Sequence, residues 1–188
     1  MTHTLLPASM RLAQPWKNGG GVTHEIAAHP PGADLATFGW RISTATVAAA
    51  GPFSKFPGVD RILLVLDGEL ALRIDGAPAQ VLRPGDAPLA FPGDIPVEAD
   101  LVAGPVTDLN IMVRRGAWMA EVRRIMVDGP MALAAGGVQI AVALDALTVE
   151  GERLQLLDAV RFDGALSAAP VSGPASLIQI RLDKAKAD

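Results

Sequence analysis

Short segments of alternating or uniformly apolar residues recur along the chain, each closed off by a turn that contains Gly or Pro. No stretch sustains an apolar stripe at the helical period of about 3.6 residues, so strands are the regular structure that the pattern supports. Expected strands cover 22–28, 40–48, 61–66, 69–74, 97–101 and 106–114, then 118–127, 139–144, 146–149, 154–157, 160–162 and 176–182. Turns fall at Asp67-Gly68, Asp75-Gly76, Arg83-Pro-Gly-Asp86 and Pro92-Gly-Asp94, where Gly supplies positive φ and Pro a fixed one. The pattern predicts an all-β fold, and two successive sets of strands predict two barrels or jelly rolls. The one helical candidate is a turn at 57–60.

Gly and Pro contribute 19 and 15 of the 188 residues, which suits frequent turns. Half the residues are hydrophobic, enough for a core. A net charge of −4 with no Lys/Arg cluster argues against a nucleic-acid surface. With no cysteine there is no disulfide, thiol nucleophile or Cys-ligated metal. The longest clear apolar runs, 62–66 and 140–144, fall far short of the roughly 20 residues that cross a bilayer. The first residues lack the basic and apolar regions of a secretory leader. The expectation is a cytoplasmic protein.

Trp16-Lys-Asn-Gly-Gly-Gly-Val-Thr-His-Glu-Ile-Ala27 sets an aromatic, a cation, an amide and a carboxylate around three glycines. Consecutive glycines weaken local structure and suit a backbone that turns sharply or admits a close neighbour. In the strand 106–114, alternation puts Leu109, Ile111 and Val113 on one face and Asp108, Asn110, Met112 and Arg114 on the other. If the apolar face packs inward elsewhere, the second face lines a polar pocket. In 40–46, Trp40, Ile42 and Thr44 share one face and Arg41, Ser43 and Ala45 the other, and Arg41 is a candidate partner of Glu25. Pro52 and Pro57 stiffen the loop 51–61, so Phe53 and Phe56 either rim a pocket or plug a barrel end. Asp60 and Arg61 point apart, because Arg61 opens a strand.

The Trp16 motif, the segments Phe38-Gly-Trp-Arg-Ile-Ser43 and Gly51-Pro-Phe-Ser-Lys-Phe-Pro-Gly-Val-Asp-Arg61, and the stretch from Phe91-Pro-Gly-Asp94 to Gly104-Pro-Val-Thr-Asp-Leu-Asn-Ile-Met-Val-Arg-Arg115 resemble the HutD/Ves family in order and spacing. The resemblance covers roughly 5–115 closely and runs more loosely to the C-terminus. It implies a double cupin (bicupin), two stacked small β-barrels of the jelly-roll type, and an association with histidine utilisation. The expected division is 1–115 for an N-terminal cupin barrel with the ligand pocket and 116–188 for a C-terminal cupin-like barrel.

Most cupins hold a metal through inward-facing histidines and a glutamate. His3, His24 and His29 are the histidines of this chain, and none follows Gly68 or Pro84-Gly85, where such ligands would stand. His24 and Glu25 are adjacent and point to opposite faces of a strand, and His24 and His29 differ in parity. The expectation is no metal and no cofactor, with His24 facing solvent and His29 in a loop. No histidine lies downstream of 29 to serve a Ser-His-Asp set. A carboxylate pair of Glu25 with Asp60 or Asp108 is the acid–base alternative.

Candidate ligand contacts are therefore Trp16, Lys17, Asn18, Glu25, Ser43, Phe53, Phe56, Asp60, Arg61, Asp108, Asn110 and Met112. Lys17 and Arg61 would neutralise a small carboxylate, and Asn18 and Asn110 would orient it. The resemblance makes a urocanate- or formylglutamate-type metabolite the expected partner and a sensor or regulator the expected role. A metal-independent isomerase, lyase or hydrolase is the alternative. A homodimer is expected, because pairing removes an exposed sheet edge.

Overall fold

The computed structural model describes residues 3–16, 19–133 and 136–186. Among them the alternating segments form nineteen strands and a single 3-10 turn, Ala8–Met10. After β1 (His3–Leu6) come β2 (Ala13–Pro15), β3 (Gly21–His29), β4 (Trp40–Val47), β5 (Gly51–Pro52) and β6 (Val59–Asp67). Next are β7 (Leu70–Ile74), β8 (Gln80–Leu82), β9 (Leu89–Pro92), β10 (Val97–Leu101) and β11 (Val106–Arg114). The remainder are β12 (Trp118–Val127), β13 (Met131–Leu133), β14 (Val138–Ala143), β15 (Leu147–Val149), β16 (Glu152–Leu154), β17 (Ala159–Phe162), β18 (Leu166–Pro170) and β19 (Ala175–Lys184). No described helix is long and apolar enough to cross a membrane.

Two units result. One is Leu12–Trp118; the other joins Met1–Arg11 to Met119–Asp188. The start of the chain thus departs from the expected division at 115/116. The reason is pairing: β1 lies antiparallel to β17, with Leu6 opposite Ala159. Arg11 Nη2 donates to the carbonyl of Leu157, and the Ala8 N–H donates to Asp158 Oδ1 at 2.7 Å. This unit has a five-stranded sheet, β1-β17-β14-β19-β12, and a four-stranded sheet, β13-β18-β15-β16. Leu147, Val149, Val160, Phe162, Leu166 and Leu177 meet in its core.

The unit Leu12–Trp118 has a six-stranded sheet, β2-β3-β4-β11-β6-β9, and a four-stranded sheet, β5-β10-β7-β8. Its described pairings are antiparallel. Strands β7 and β10 alternate buried and more exposed residues, as half-buried strands do. Their inward side chains Leu70, Leu72, Val97 and Ala99 pack with Leu63, Val65, Phe91 and Val106 of the larger sheet. Burying each large side chain contributes about 1.5–3 kcal/mol. Strands β4 and β11 are buried on nearly every residue: their second face carries Trp40, Ile42, Leu109 and Ile111, all at most 1% exposed.

Two local expectations change. The helical turn at 57–60 is a plain turn, because Gly58 takes φ of +69° and β6 already begins at Val59. The strand expected at 154–157 ends at Leu154, where Leu157 turns back with φ of +65°.

Candidate functional site

Register on the six-stranded sheet assembles the site. Asp108, Asn110 and Met112 lie opposite Ala45, Ser43 and Arg41 of β4, and opposite Val65, Leu63 and Arg61 of β6. Residues directly opposite across a ladder share a face, so these side chains emerge together. Arg61 is in turn opposite Phe91, and Ala45 and Ser43 are opposite Thr23 and Glu25. A bulge between Glu25 and Ala27 inserts Ile26, after which Ala28 stands opposite Arg41. This one-residue slip carries Ala27 to the other face.

The polar part of that face opens on a cavity of about 560 Å³, within the usual range for small-molecule sites. Gln14, Pro15, Trp16 and Leu35 complete its wall on one side, and Pro52, Phe53, Ser54 and Phe56 on the other. The Trp16 indole N–H donates to Thr23 Oγ1 at 2.8 Å. Gly21 makes room for the ring, since a Cβ there would lie 2.6 Å from the Thr46 carbonyl and 3.1 Å from Trp16. The aromatic loop is tied down by backbone bonds, Phe53 N–H to Val97 O and Phe56 N–H to Gly93 O. Gly93 permits that approach: a Cβ would stand 3.0 Å from the Val59 carbonyl.

Three charged groups dominate the cavity. Arg41, 6% exposed, donates to Glu25 at 2.8 Å and to Gln14 Oε1 at 3.2 Å. Arg61 is equally buried, with its guanidinium 5.0, 5.8 and 5.2 Å from the ring centres of Phe53, Phe56 and Phe91. It donates through Nε to Asn110 Oδ1 at 3.3 Å, and among the described residues no carboxylate pairs with it. Burial pushes Arg61 down to about 10, partly opposed by Asp108. Asp108 is 2% exposed, and its Oδ1 has no hydrogen-bond partner among the described residues. Burial pushes it up to about 7, against the pull of Arg61 and the Ala45 N–H.

Of the expected contacts, Trp16, Ser43, Phe53, Phe56, Arg61, Asp108, Asn110 and Met112 line the cavity. Lys17 and Asn18 lie outside the described residues. Glu25 sits behind Arg41 as its partner rather than on the wall. Asp60 is not brought there: it pairs with Arg115, which also holds Asp94. Pairing of Glu25 with Asp60 therefore does not arise. Arg41, Ala45 and Thr23 were missed as lining residues, although parity with Ser43 and Glu25 marks them. Gln14 had no such signal, because β2 is only three residues long.

The histidines stand elsewhere. His24, half-buried rather than facing solvent, is opposite Thr44 and so on the other face. His29 ends β3 instead of lying in a loop. Its ring stacks on Trp40 at 5.8 Å and meets Trp118 edge-on at 5.1 Å. No group of three or more His, Asp and Glu side chains among the described residues could hold a metal. Two guanidinium groups and one carboxylate do not fit a divalent ion of the cupin kind.

The family model for HutD matches residues 8–178. The chain belongs to the HutD family. A HutD-family relative from Pseudomonas putida, an uncharacterized 21.2 kDa protein in the hutC 3′ region, is 35% identical over 94% of this chain and 96% of its own. Protein Ves of Cronobacter sakazakii is 42% identical over 110 residues, 57% of this chain and 59% of its own. The solved structure of HutD from Pseudomonas fluorescens SBW25 superposes with a TM-score of 0.82 at 30% identity, covering 97% of this chain and all of that one. Cupin-type neighbours share the fold alone, among them the bacterial pirin YhhW of Escherichia coli in complex with nickel(II). It has a TM-score of 0.68 at 11% identity and covers 96% of this chain and 99% of its own.

Proposed function

We propose that this HutD-family chain is a cytoplasmic sensor or regulator of histidine catabolism. Its cavity binds a small carboxylate intermediate of the urocanate or formylglutamate type. The observation that carries this reading is Arg61, a buried guanidinium inside an aromatic cage that makes no direct ion pair among the described residues and is offset only at a distance by Asp108. A buried, unpaired cation is costly to keep unless an anion arrives. A ligand carboxylate accepting from Arg61 supplies that anion, with Asn110 and Ser43 beside it to set orientation. Phe53, Phe56 and Trp16 flank a flat ligand body. The proposal extends to each unit's two sheets closing as a jelly-roll barrel, the double-cupin arrangement. It extends also to a homodimer, supported by β12 standing at the edge of its sheet with Met119 and Met126 exposed; sedimentation velocity decides that point.

Thermal-shift titration with urocanate, formylglutamate and histidine tests the ligand class. A saturable rise in melting temperature with either carboxylate intermediate and none with unrelated dicarboxylates is expected. No response to any of them overturns the reading.

Asp108 supports a second reading, a metal-independent enzyme. A buried carboxylic acid that titrates near neutrality can hold or accept a proton beside the ligand. Incubation of each binding metabolite with the protein, followed by product analysis, separates the two: turnover lost in Asp108→Asn establishes the enzyme, and unchanged metabolite establishes binding alone.

A further inference from the structure

The cavity wall carries two guanidinium groups and one carboxyl group. Arg41, Arg61 and Ser43 can all donate into it. Glu25 is already engaged by Arg41 and Asp60 by Arg115. Asp108 is the remaining carboxyl group on the wall, and its Oδ1 is buried without a hydrogen-bond partner among the described residues. Leaving such an atom unmatched costs about 1–3 kcal/mol. The terminal torsion of an aspartate is soft, so either oxygen can turn toward a guest.

Asp108 also has a defined place relative to Arg61. The Arg61 guanidinium reaches Asn110, and Asp108 is two residues further along β11, about 7 Å away in a strand. The charged side chains sharing this face are Arg41 on β4, Glu25 on β3 and Arg61 on β6. Strand β2 and the 53–56 segment contribute Gln14, Ser54 and aromatic rings.

We propose that Asp108 selects ligands that carry an N–H or O–H donor on the end of the molecule remote from the carboxylate held by Arg61. The site is thus a two-ended reader, a cation at one end and an acceptor at the other. A simple monocarboxylate fills only half of it, and a ligand with a second carboxylate facing Asp108 is repelled. This inference rests on the carboxylate-binding reading above.

The test uses two isosteric probes, pyrrole-2-acrylate, which has a ring N–H and no ring acceptor nitrogen, and furan-2-acrylate, which has no donor. Calorimetry at pH 7.5 should show the pyrrole binding at least about tenfold more tightly to the full chain. In Asp108→Leu the ratio of pyrrole to furan affinity should fall below about threefold; Asp108→Ala serves if the leucine variant does not fold. Because the ionised carboxylate accepts the N–H much more strongly than the protonated acid, pyrrole affinity should rise by up to about tenfold from pH 6 to 8. The furan should show no such rise. Equal binding of the two probes to the unsubstituted protein, with both lost in Arg61→Met, sinks this inference and leaves carboxylate binding intact. Pyrrole affinity falling as pH rises also overturns it, since the ionised Asp108 would then repel the ligand rather than accept from it. Binding of neither probe removes both readings together.

Discussion

Arg41 and Arg61 stand on either side of Met112 as its two cross-strand neighbours, yet among the described residues only Arg41 makes a direct ion pair with a carboxylate. Two guanidinium groups in one row of one sheet are thus held in different electrostatic states. The closed one fixes β3 to β4, and the open one faces the cavity. The same substitution should therefore have opposite effects at the two positions.

At Arg61, replacement by Met puts an apolar chain of similar length among Phe53, Phe56 and Phe91. Affinity for a carboxylate ligand should drop by about 30-fold or more. The melting temperature should hold or rise, because an unbalanced buried charge disappears. Calorimetry with a differential scan of the free protein checks both. A large loss of stability with ligand affinity retained would instead assign Arg61 to holding the sheets closed.

At Arg41 the order reverses. Glu25→Ala leaves that guanidinium with only the Gln14 oxygen, and should cost about 1–3 kcal/mol in urea unfolding. Removing both charges in Glu25→Leu/Arg41→Met should recover most of the loss. A double variant no better than Glu25→Ala rules out the uncompensated charge as the cause.

Asp108 gives stability a pH dependence of unusual sign for a carboxylate. Its folded-state value is raised to about 7, above the ordinary value near 3.9 of an unfolded chain. The folded protein thus binds the extra proton between those limits. The contribution is full below about pH 4 and is lost as pH rises through about 7. Unfolding free energy should fall by about 2–3 kcal/mol from pH 5 to pH 8 on this account. The Asp108→Asn variant should lose that slope, and a wild-type slope that survives the substitution places its origin elsewhere.

Gly21→Ala forces a methyl group against the Thr46 carbonyl and the Trp16 ring. We expect about 1–3 kcal/mol of destabilisation, a change in Trp16 fluorescence and weaker ligand binding. Gly19→Ala is a useful comparison, because φ of +70° strains the backbone there but the space is open; it should disturb stability without disturbing the Trp16 signal.

Strand parity makes half of the site readable from the sequence. A period of two leaves no freedom once a strand is placed, so the 106–114 segment alone puts Asp108, Asn110 and Met112 together, and 40–46 does the same for Arg41, Ser43 and Ala45. What alternation cannot carry is anything that interrupts it. The bulge at Ile26 depends on how β3 meets β4, and no residue in the Trp16 motif announces it. Distances between strands are equally silent. Asp60 and Arg61 are neighbours in sequence, but only the fold shows that Arg115 draws Asp60 out to the surface. Phe91, the third wall of the cage around Arg61, was invisible for the same reason: it reaches the site through the β6–β9 ladder.

The pairing of β1 with β17 sets an order of events at the ribosome. His3–Leu6 leaves the exit tunnel early, while its hydrogen-bonding partner Ala159–Phe162 is still unmade. At about 5–20 residues per second, the wait is roughly 8–30 s. During that interval the whole of Leu12–Trp118, cavity included, has been synthesised. A nascent chain can therefore hold the complete cavity before β1 has anywhere to dock.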